Sequence, residues 1–223
     1  DFCGADVVVH LAAAGITPQP AEWENCWQVN VMDTLRLIRT ALESDVSHFV
    51  ITGTYAEYGL SDLRYERIPP TAPLEPTDVY AASKASAFCA ITALCRLEKF
   101  KLSYQRLFSV FGEGQFKNNF WPQLRDAAVS GGDFPMTAGN QIRDYLSVEL
   151  VADKLLENCY REDLCQGVPM VENLASGCPQ TLSEFAAGEW HRLGATGKLL
   201  IGALPMRANE VMRFVPLMPG QVD

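Results

Sequence analysis

The stretch Asp6-Val7-Val8-Val9-His10-Leu11-Ala12-Ala13-Ala14 decides the fold. Three successive valines, with no polar residue alternating between them, describe a strand buried on both faces. Such a strand belongs in a parallel sheet, and the small residues after it describe a loop. Working outward, Val29, Leu35, Leu37, Ile38 and Leu42 supply the apolar positions of a helix over about 25–44. His48-Phe49-Val50-Ile51-Thr52-Gly53 is a second buried strand, and a Pro-rich polar loop runs from there to about residue 78. A helix free of Pro and Gly extends to about residue 100, and Leu102 to Val110 is a third strand. Strand and helix in alternation predict a doubly wound α/β fold of Rossmann type, its parallel sheet covered on both faces. Past Gly112, Gly and Pro become frequent, with short helices expected at about 121–130 and 147–160 and a strand over 168–174. Residues 1–115 are therefore assigned to the Rossmann part. Residues 116–223 are assigned mainly to a small C-terminal substrate lobe, with about 140–175 returning to the first part.

The 223 residues are 48% hydrophobic and 20% charged, an ordinary balance for one sizeable core with a smaller lobe. A net charge of −9, with no basic tract to offset it, argues against a nucleic-acid or anionic-membrane surface. No apolar run is long enough to span a bilayer, and the start carries no signal-peptide pattern. The seven Cys form no C-x-x-C pair, and with the three scattered His they make no zinc-ligand spacing. Cys89 and Cys95 fall in an apolar helical stretch and are expected to be small core residues. A reduced, cytoplasmic protein without a metal is the simplest expectation.

Chemistry enters at Tyr80-Ala81-Ala82-Ser83-Lys84. Residues i and i+4 share a helix face, so the Lys84 ammonium is expected beside the Tyr80 phenol, easing its ionisation. A phenol tuned in this way is an acid or base for a sugar or alcohol hydroxyl. Thr54 stands upstream at a strand end, where a hydroxyl can also do no more than satisfy the backbone.

Further segments fall in a recognisable order. They are the His10-Leu11-Ala12-Ala13 turn, Asn30-Val31-Met32-Asp33-Thr34, Thr52-Gly53-Thr54-Tyr55-Ala56-Glu57-Tyr58-Gly59, Arg106-Leu107-Phe108-Ser109-Val110-Phe111-Gly112 and Arg143-Asp144-Tyr145-Leu146-Ser147-Val148. Together with Tyr80 and Lys84 they resemble the extended short-chain dehydrogenase/reductase family, the group of nucleotide-sugar epimerases, dehydratases and ketoreductases. The resemblance implies a catalytic set of Thr54, Tyr80 and Lys84, acting at sugar C4 with NAD or NADP. It places Leu11, Ala12, Ala13, Asn30, Thr52, Tyr80, Lys84, Phe108 and Val110 at the cofactor. Thr54, Asn119, Phe120, Arg143 and Arg207 are placed at a nucleotide-diphosphate sugar, Arg207 through the segment Ala203–Glu210. Two guanidinium forks suit a pyrophosphate, although Arg143 read alone pairs with Asp144 or another surface carboxylate. Trp121, just before Pro122, reads as an interior anchor. The resemblance also implies a homodimer formed through the Tyr80 helix and the one over 25–44.

Three departures qualify the resemblance. Asp33 stands where the family has Gly. The family's opening Gly-x-x-Gly-x-x-Gly turn, which brings backbone amides to a dinucleotide pyrophosphate, is missing, and Gly112-Glu113-Gly114 does not replace it. The first strand here corresponds to the family's fourth, so about 60 residues of two βαβ units are wanting at about 30 each. The sequence is therefore read as N-terminally incomplete. The alternative is a non-catalytic nucleotide-sugar-binding or regulatory homologue that has lost dinucleotide binding. Finally, dehydratases of the family carry Asp-Glu directly after the Thr, whereas Tyr55 and Ala56 stand here. Glu57, one place further, is expected to point to the opposite side of an extended segment. This argues against dehydration and leaves an epimerase or a 4-ketoreductase.

Overall fold

The computed structural model describes residues 2–16, 18, 20–208, 210–218 and 220–221. Strands β1 (Val8–His10), β2 (His48–Thr54), β3 (Lys101–Leu107) and β8 (Met170–Leu174) form a parallel sheet in the order β1-β2-β3-β8. Side-chain alternation along β2 explains the two covered faces. Phe49 and Ile51 point to one side, against Ile38 and Ala41 of α2 (Thr34–Leu42) and Ala87, Ile91 and Cys95 of α3 (Val79–Glu98). Val50 points to the other, against Val151 and Leu155 of α5 (Val148–Cys159). Helix α3 matches its expected span. The helix expected over 25–44 runs through α1 (Trp23–Cys26), a π-helical stretch Trp27–Asp33 and α2.

The strand expected over 102–110 is broken. Its second part, β4 (Ser109–Phe111), leaves the main sheet and pairs with β7 (Tyr145–Ser147). The break falls at Phe108, which is buried in a separate aromatic cluster with Tyr58 and Phe214. Beyond it, α4 (Phe120–Ser130) and α6 (Leu182–Arg192) pack with β5 (Phe134–Met136) around Leu124, Met136, Ala186 and Trp190. Strand β5 pairs with β10 (Leu199–Ile201), while β6 (Ile142–Arg143) lies between β9 (Gln180–Thr181) and β11 (Arg213–Phe214). Cys95 is a core residue as expected, but Cys89 is exposed on α3. Among the described residues no helix is long and apolar enough to cross a membrane.

The loop after β2 is neither extended nor loose. Residues Tyr55–Tyr58 and Leu60–Leu63 form 3-10 turns. The first turn carries Glu57 back under the strand end, where it is fully buried. The Thr54 N–H donates to Glu57 Oε1 at 2.9 Å, Tyr104 Oη donates to the same oxygen at 2.9 Å, and Arg106 Nε donates to Oε2 at 2.6 Å. Arg106 also donates to Tyr58 Oη and to the Pro70 carbonyl, and lies over the Phe88 ring at 4.3 Å. The expectation that Glu57 points away from an extended segment is thus corrected: its carboxylate turns inward and forms a buried ion pair with Arg106.

Removing one partner of such a pair leaves an uncompensated buried charge. Glu57→Leu and Arg106→Leu should each cost about 3–5 kcal/mol in urea unfolding. The double variant should cost less than the sum, by an interaction energy of about 0.5–3 kcal/mol. Additive losses would show that the charges do not depend on each other.

Candidate active site

Thr54, Tyr80 and Lys84 meet at the carboxyl end of β2. Asp78 caps α3 by accepting the Ala81 N–H at 2.8 Å, which sets Tyr80 in the first helical turn. Burial and the Glu57 charge disfavour ionisation of the Tyr80 phenol, and the Thr54 side chain beside it acts the other way. The net effect pushes Tyr80 up to about 12. This differs from the expectation that Lys84 eases ionisation. One helical turn on, Lys84 donates Nζ to the Thr52 carbonyl at 2.7 Å, and burial lowers its pKa. The cation is committed to the strand end, and the phenol stays neutral.

Asn30 ties the neighbouring loop to this turn. It accepts from the Ala14 N–H at 2.8 Å and donates to the Ala14 carbonyl at 3.0 Å and to Ser83 Oγ at 2.8 Å. Ser83 in turn donates to the Tyr80 carbonyl. Asn30 therefore fixes the loop from Leu11 to Ala14 relative to the Tyr80 helix. Thr52 Oγ1 donates to the His10 carbonyl at 3.3 Å, locking β1 to β2. Leu11 and Ala12 are exposed, and Ala13 is half-buried. Of the residues expected at the cofactor, Phe108 is buried against Tyr55 and Phe214, and Val110 packs near Leu146 and Val151. Asp33, where Gly was expected, accepts from Arg36 and Gln28 on the exposed helix surface.

Phe120 and Arg207 line a cavity of about 700 Å³, together with Gln141 and Glu210. Asn119 is the residue before α4, and its carbonyl accepts from Gln123; its neighbour Asn118 lines the cavity instead. Asn209, in the Arg207 segment, lies outside the described residues. Arg143 does not pair with Asp144. It donates to the Ile142 and Val211 carbonyls and pairs with Glu210 at 3.5 Å. Asp144 is fully buried and accepts from the Ser176 N–H and Oγ and from the Gly177 N–H. Trp121 is an interior anchor, donating Nε1 to Glu189 at 2.8 Å. Gln141 escaped the sequence reading, and the surroundings of Glu57 and Glu210 were not foreseen there. None lies in a periodic pattern, and each acquires its surroundings through the tertiary fold.

The sequence signature of the NAD dependent epimerase/dehydratase family matches residues 1–158. The chain belongs to that family. It is 28% identical over 163 residues to a UDP-glucose 4-epimerase of Corynebacterium glutamicum, covering 65% of the chain and 48% of that protein. It is 30% identical over 162 residues to a dTDP-D-glucose 4,6-dehydratase of Homo sapiens, covering 68% of the chain and 43% of the relative. The chain thus spans about half the length of these curated relatives. Its fold superposes on a UDP-N-acetylglucosamine 4-epimerase from Methanobrevibacter ruminantium M1 in complex with UDP-N-acetylmuramic acid. The TM-score is 0.84 at 21% identity, covering 98% of this chain and 69% of the other.

His10 offers a check on the β1 edge of the site. Its Nε2 meets Thr34 Oγ1 at 2.9 Å, and burial, aided by the Lys84 charge, lowers its pKa to about 4. Unfolded, the imidazole takes a proton near pH 6.5. Between pH 6.5 and about 4 the unfolded chain therefore binds a proton that the folded chain refuses, so stability falls as pH falls. The slope attributable to His10 reaches at most about 1.4 kcal/mol per pH unit. His10→Gln should flatten the stability–pH curve in that window and leave it unchanged above pH 7, as read by urea unfolding at each pH.

Proposed function

We propose that the chain is part of an NAD- or NADP-dependent enzyme acting at C4 of a nucleotide-activated sugar, as an epimerase or a 4-ketoreductase. The observation that carries this reading is the convergence of Thr54, Tyr80 and Lys84 at the carboxyl edge of the parallel sheet, where such folds bind their ligands. A bound nicotinamide cofactor supplies the hydride donor or acceptor for C4. The residues here fit its ribose end. Lys84 is a buried cation at the strand edge with N–H groups beyond the one given to Thr52. Ala12 and Ala13 beside it carry no side chain beyond Cβ, and Asn30 holds their loop in place. A Gly-rich turn for the pyrophosphate is not found in these 223 residues.

Tyr80 is the group placed to move a proton at the C4 oxygen. Its neutral phenol suits donation to an oxygen gaining negative charge. Thr54, beside Tyr80, orients the same oxygen. Dehydration asks for a further acid and base after Thr54, and the arrangement supplies neither. Tyr55 packs against Phe108 and Phe214, and Glu57 is spent on Arg106 and the Thr54 amide. That accounting favours C4 redox chemistry. The cytoplasmic homodimer expected above belongs to the same reading, and Met32 and Leu97 are exposed on the two helical segments it would use.

Tyr80→Phe tests the reading. With UDP-glucose or dTDP-glucose and NAD, turnover at C4 should fall by at least about 100-fold, the usual contribution of a positioned acid–base group. Affinity for the nucleotide sugar should stay within about twofold, since the phenol acts on the reacting oxygen. Turnover retained in the variant would refute Tyr80 as the acid–base.

A further inference from the structure

The side chain that follows Thr54 carries a hydroxyl that the fold does not use. Tyr55 opens the 3-10 turn that Thr54 caps, so its place is fixed relative to the strand end. Its ring is clamped by Phe214 at 4.9 Å and Phe108 at 5.6 Å, which leaves the phenol little freedom beyond rotation of its O–H. That packing asks only for a ring, and a Phe would supply it as well as Phe108 and Phe214 do. The neighbouring phenols are engaged: Tyr58 Oη donates to Asn173 at 2.6 Å, and Tyr104 Oη donates to Glu57 at 2.9 Å. Tyr55 Oη has no hydrogen-bond partner among the described residues, and it is not one of the polar atoms sealed inside the core. A hydroxyl held in place, reachable and without a protein partner is matched from outside the chain.

Burial raises the Tyr55 pKa, so the phenol is neutral and has a proton to donate. Arg143, Asp78 and Glu210 are the charged groups close enough to act on it, and Tyr55 in turn acts on Tyr80. The hydroxyl therefore lies between the start of α3, where Tyr80 stands, and the Arg143–Glu210 pair at the cavity that Arg207 lines. We propose that Tyr55 Oη donates a hydrogen bond to a hexose hydroxyl on the ring edge between C1 and C4, making Tyr55 a specificity-determining residue for the sugar. The inference rests on the reading that a nucleotide hexose presents C4 to Tyr80. With C4 there and the C1 phosphate towards Arg207, the ring runs from one to the other and Tyr55 flanks it. The edge it meets carries either the 2- and 3-hydroxyls or the C6 hydroxyl. Each of these oxygens can accept a hydrogen bond, and none of them reacts. The bond is made before and during the C4 step alike, so Tyr55 contributes to binding and not to turnover.

The test is Tyr55→Phe, which keeps the ring and removes only the hydroxyl. Parent and variant are assayed with NAD on UDP-glucose or dTDP-glucose, whichever the parent turns over, and on its 2-, 3- and 6-deoxy analogues. KM for the full sugar should rise about tenfold in the variant, the size of one hydrogen bond to a neutral partner, with kcat within about twofold. One analogue should serve parent and variant equally, which identifies the hydroxyl. The parent gives a second measurement that needs no variant: its KM for that same analogue should be about tenfold higher than for the full sugar. Calorimetric affinity for the nucleoside diphosphate, which lacks the hexose, should be the same in both proteins. An unchanged KM, a fall in kcat at constant KM, a loss that persists on all three analogues, or an equal loss of diphosphate affinity would overturn the inference and leave the C4 reading standing. So would a parent that uses all three analogues as well as the full sugar. A parent without C4 turnover of either sugar would overturn both.

Discussion

The buried carboxylate of Glu57 is the interaction on which the site's geometry depends. It sits beneath the end of β2 and takes donors from three directions: the Thr54 amide, the Tyr104 hydroxyl and the Arg106 guanidinium. The space it needs is made by Gly53, where an added Cβ would fall 2.4 Å from Tyr104 and 2.5 Å from Glu57 Oε1. A side chain at 53 would push the carboxylate off its donors, so the Gly is required by close approach and not by backbone angle. From Arg106 the network continues through Tyr58 to Asn173, which donates to the Ile68 carbonyl. The long loop after β2 is thus held to β3 and β8 by hydrogen bonds. Its Pro-rich sequence has no periodic apolar face that could do the same.

Along β3 the two faces of the sheet differ in character. On the α3 side, Leu102 and Tyr104 join the core, and Arg106 is accepted among aromatic rings because Glu57 neutralises it. On the α5 side, Ser103 donates to Asn158, while Gln105 donates to Asn158 and Glu172. Arg161 completes the set by pairing with Glu172. Each of these polar groups under α5 has a neighbour of matching character, so the β3 residues are buried there with their hydrogen bonds made.

The strands and long helices were readable because their signals are local. Unbroken β-branched runs mark β1 and β2, and a Pro- and Gly-free stretch behind Asp78 marks α3. Helix α6 was readable in principle and was missed: Thr181 and Glu184 form a capping box, with Thr181 Oγ1 accepting the Glu184 N–H and Glu184 accepting the Thr181 N–H. The departure of β4 from the main sheet has no such local sign. It follows from Phe108 turning into the aromatic cluster and from β7 offering a new partner, and both depend on residues far away in sequence. Glu57 was misplaced for a related reason. A period of two holds only while the chain stays extended, and Thr54 ends the strand by capping a 3-10 turn. That Thr54, Tyr80 and Lys84 lie together was legible, but their electrostatics were not.

The Tyr80–Lys84 spacing invites the view that a cation beside a phenol must lower its pKa. Spacing on a helix fixes which face two side chains share, but not where a flexible ammonium ends. Here Lys84 reaches down to the Thr52 carbonyl, and the nearer influences on the phenol are burial and the Glu57 charge, both of which favour the neutral form. Glu57 therefore has two opposed effects: it positions Thr54 through the backbone amide while making the phenolate harder to form. Arg106 limits the second effect by pairing with the same carboxylate. Within the proposed chemistry, a neutral phenol can give a proton to a C4 oxygen that gains charge on reduction, whereas the oxidative half of an epimerisation needs the same oxygen as a phenolate, so the balance around Tyr80 must there shift towards ionisation.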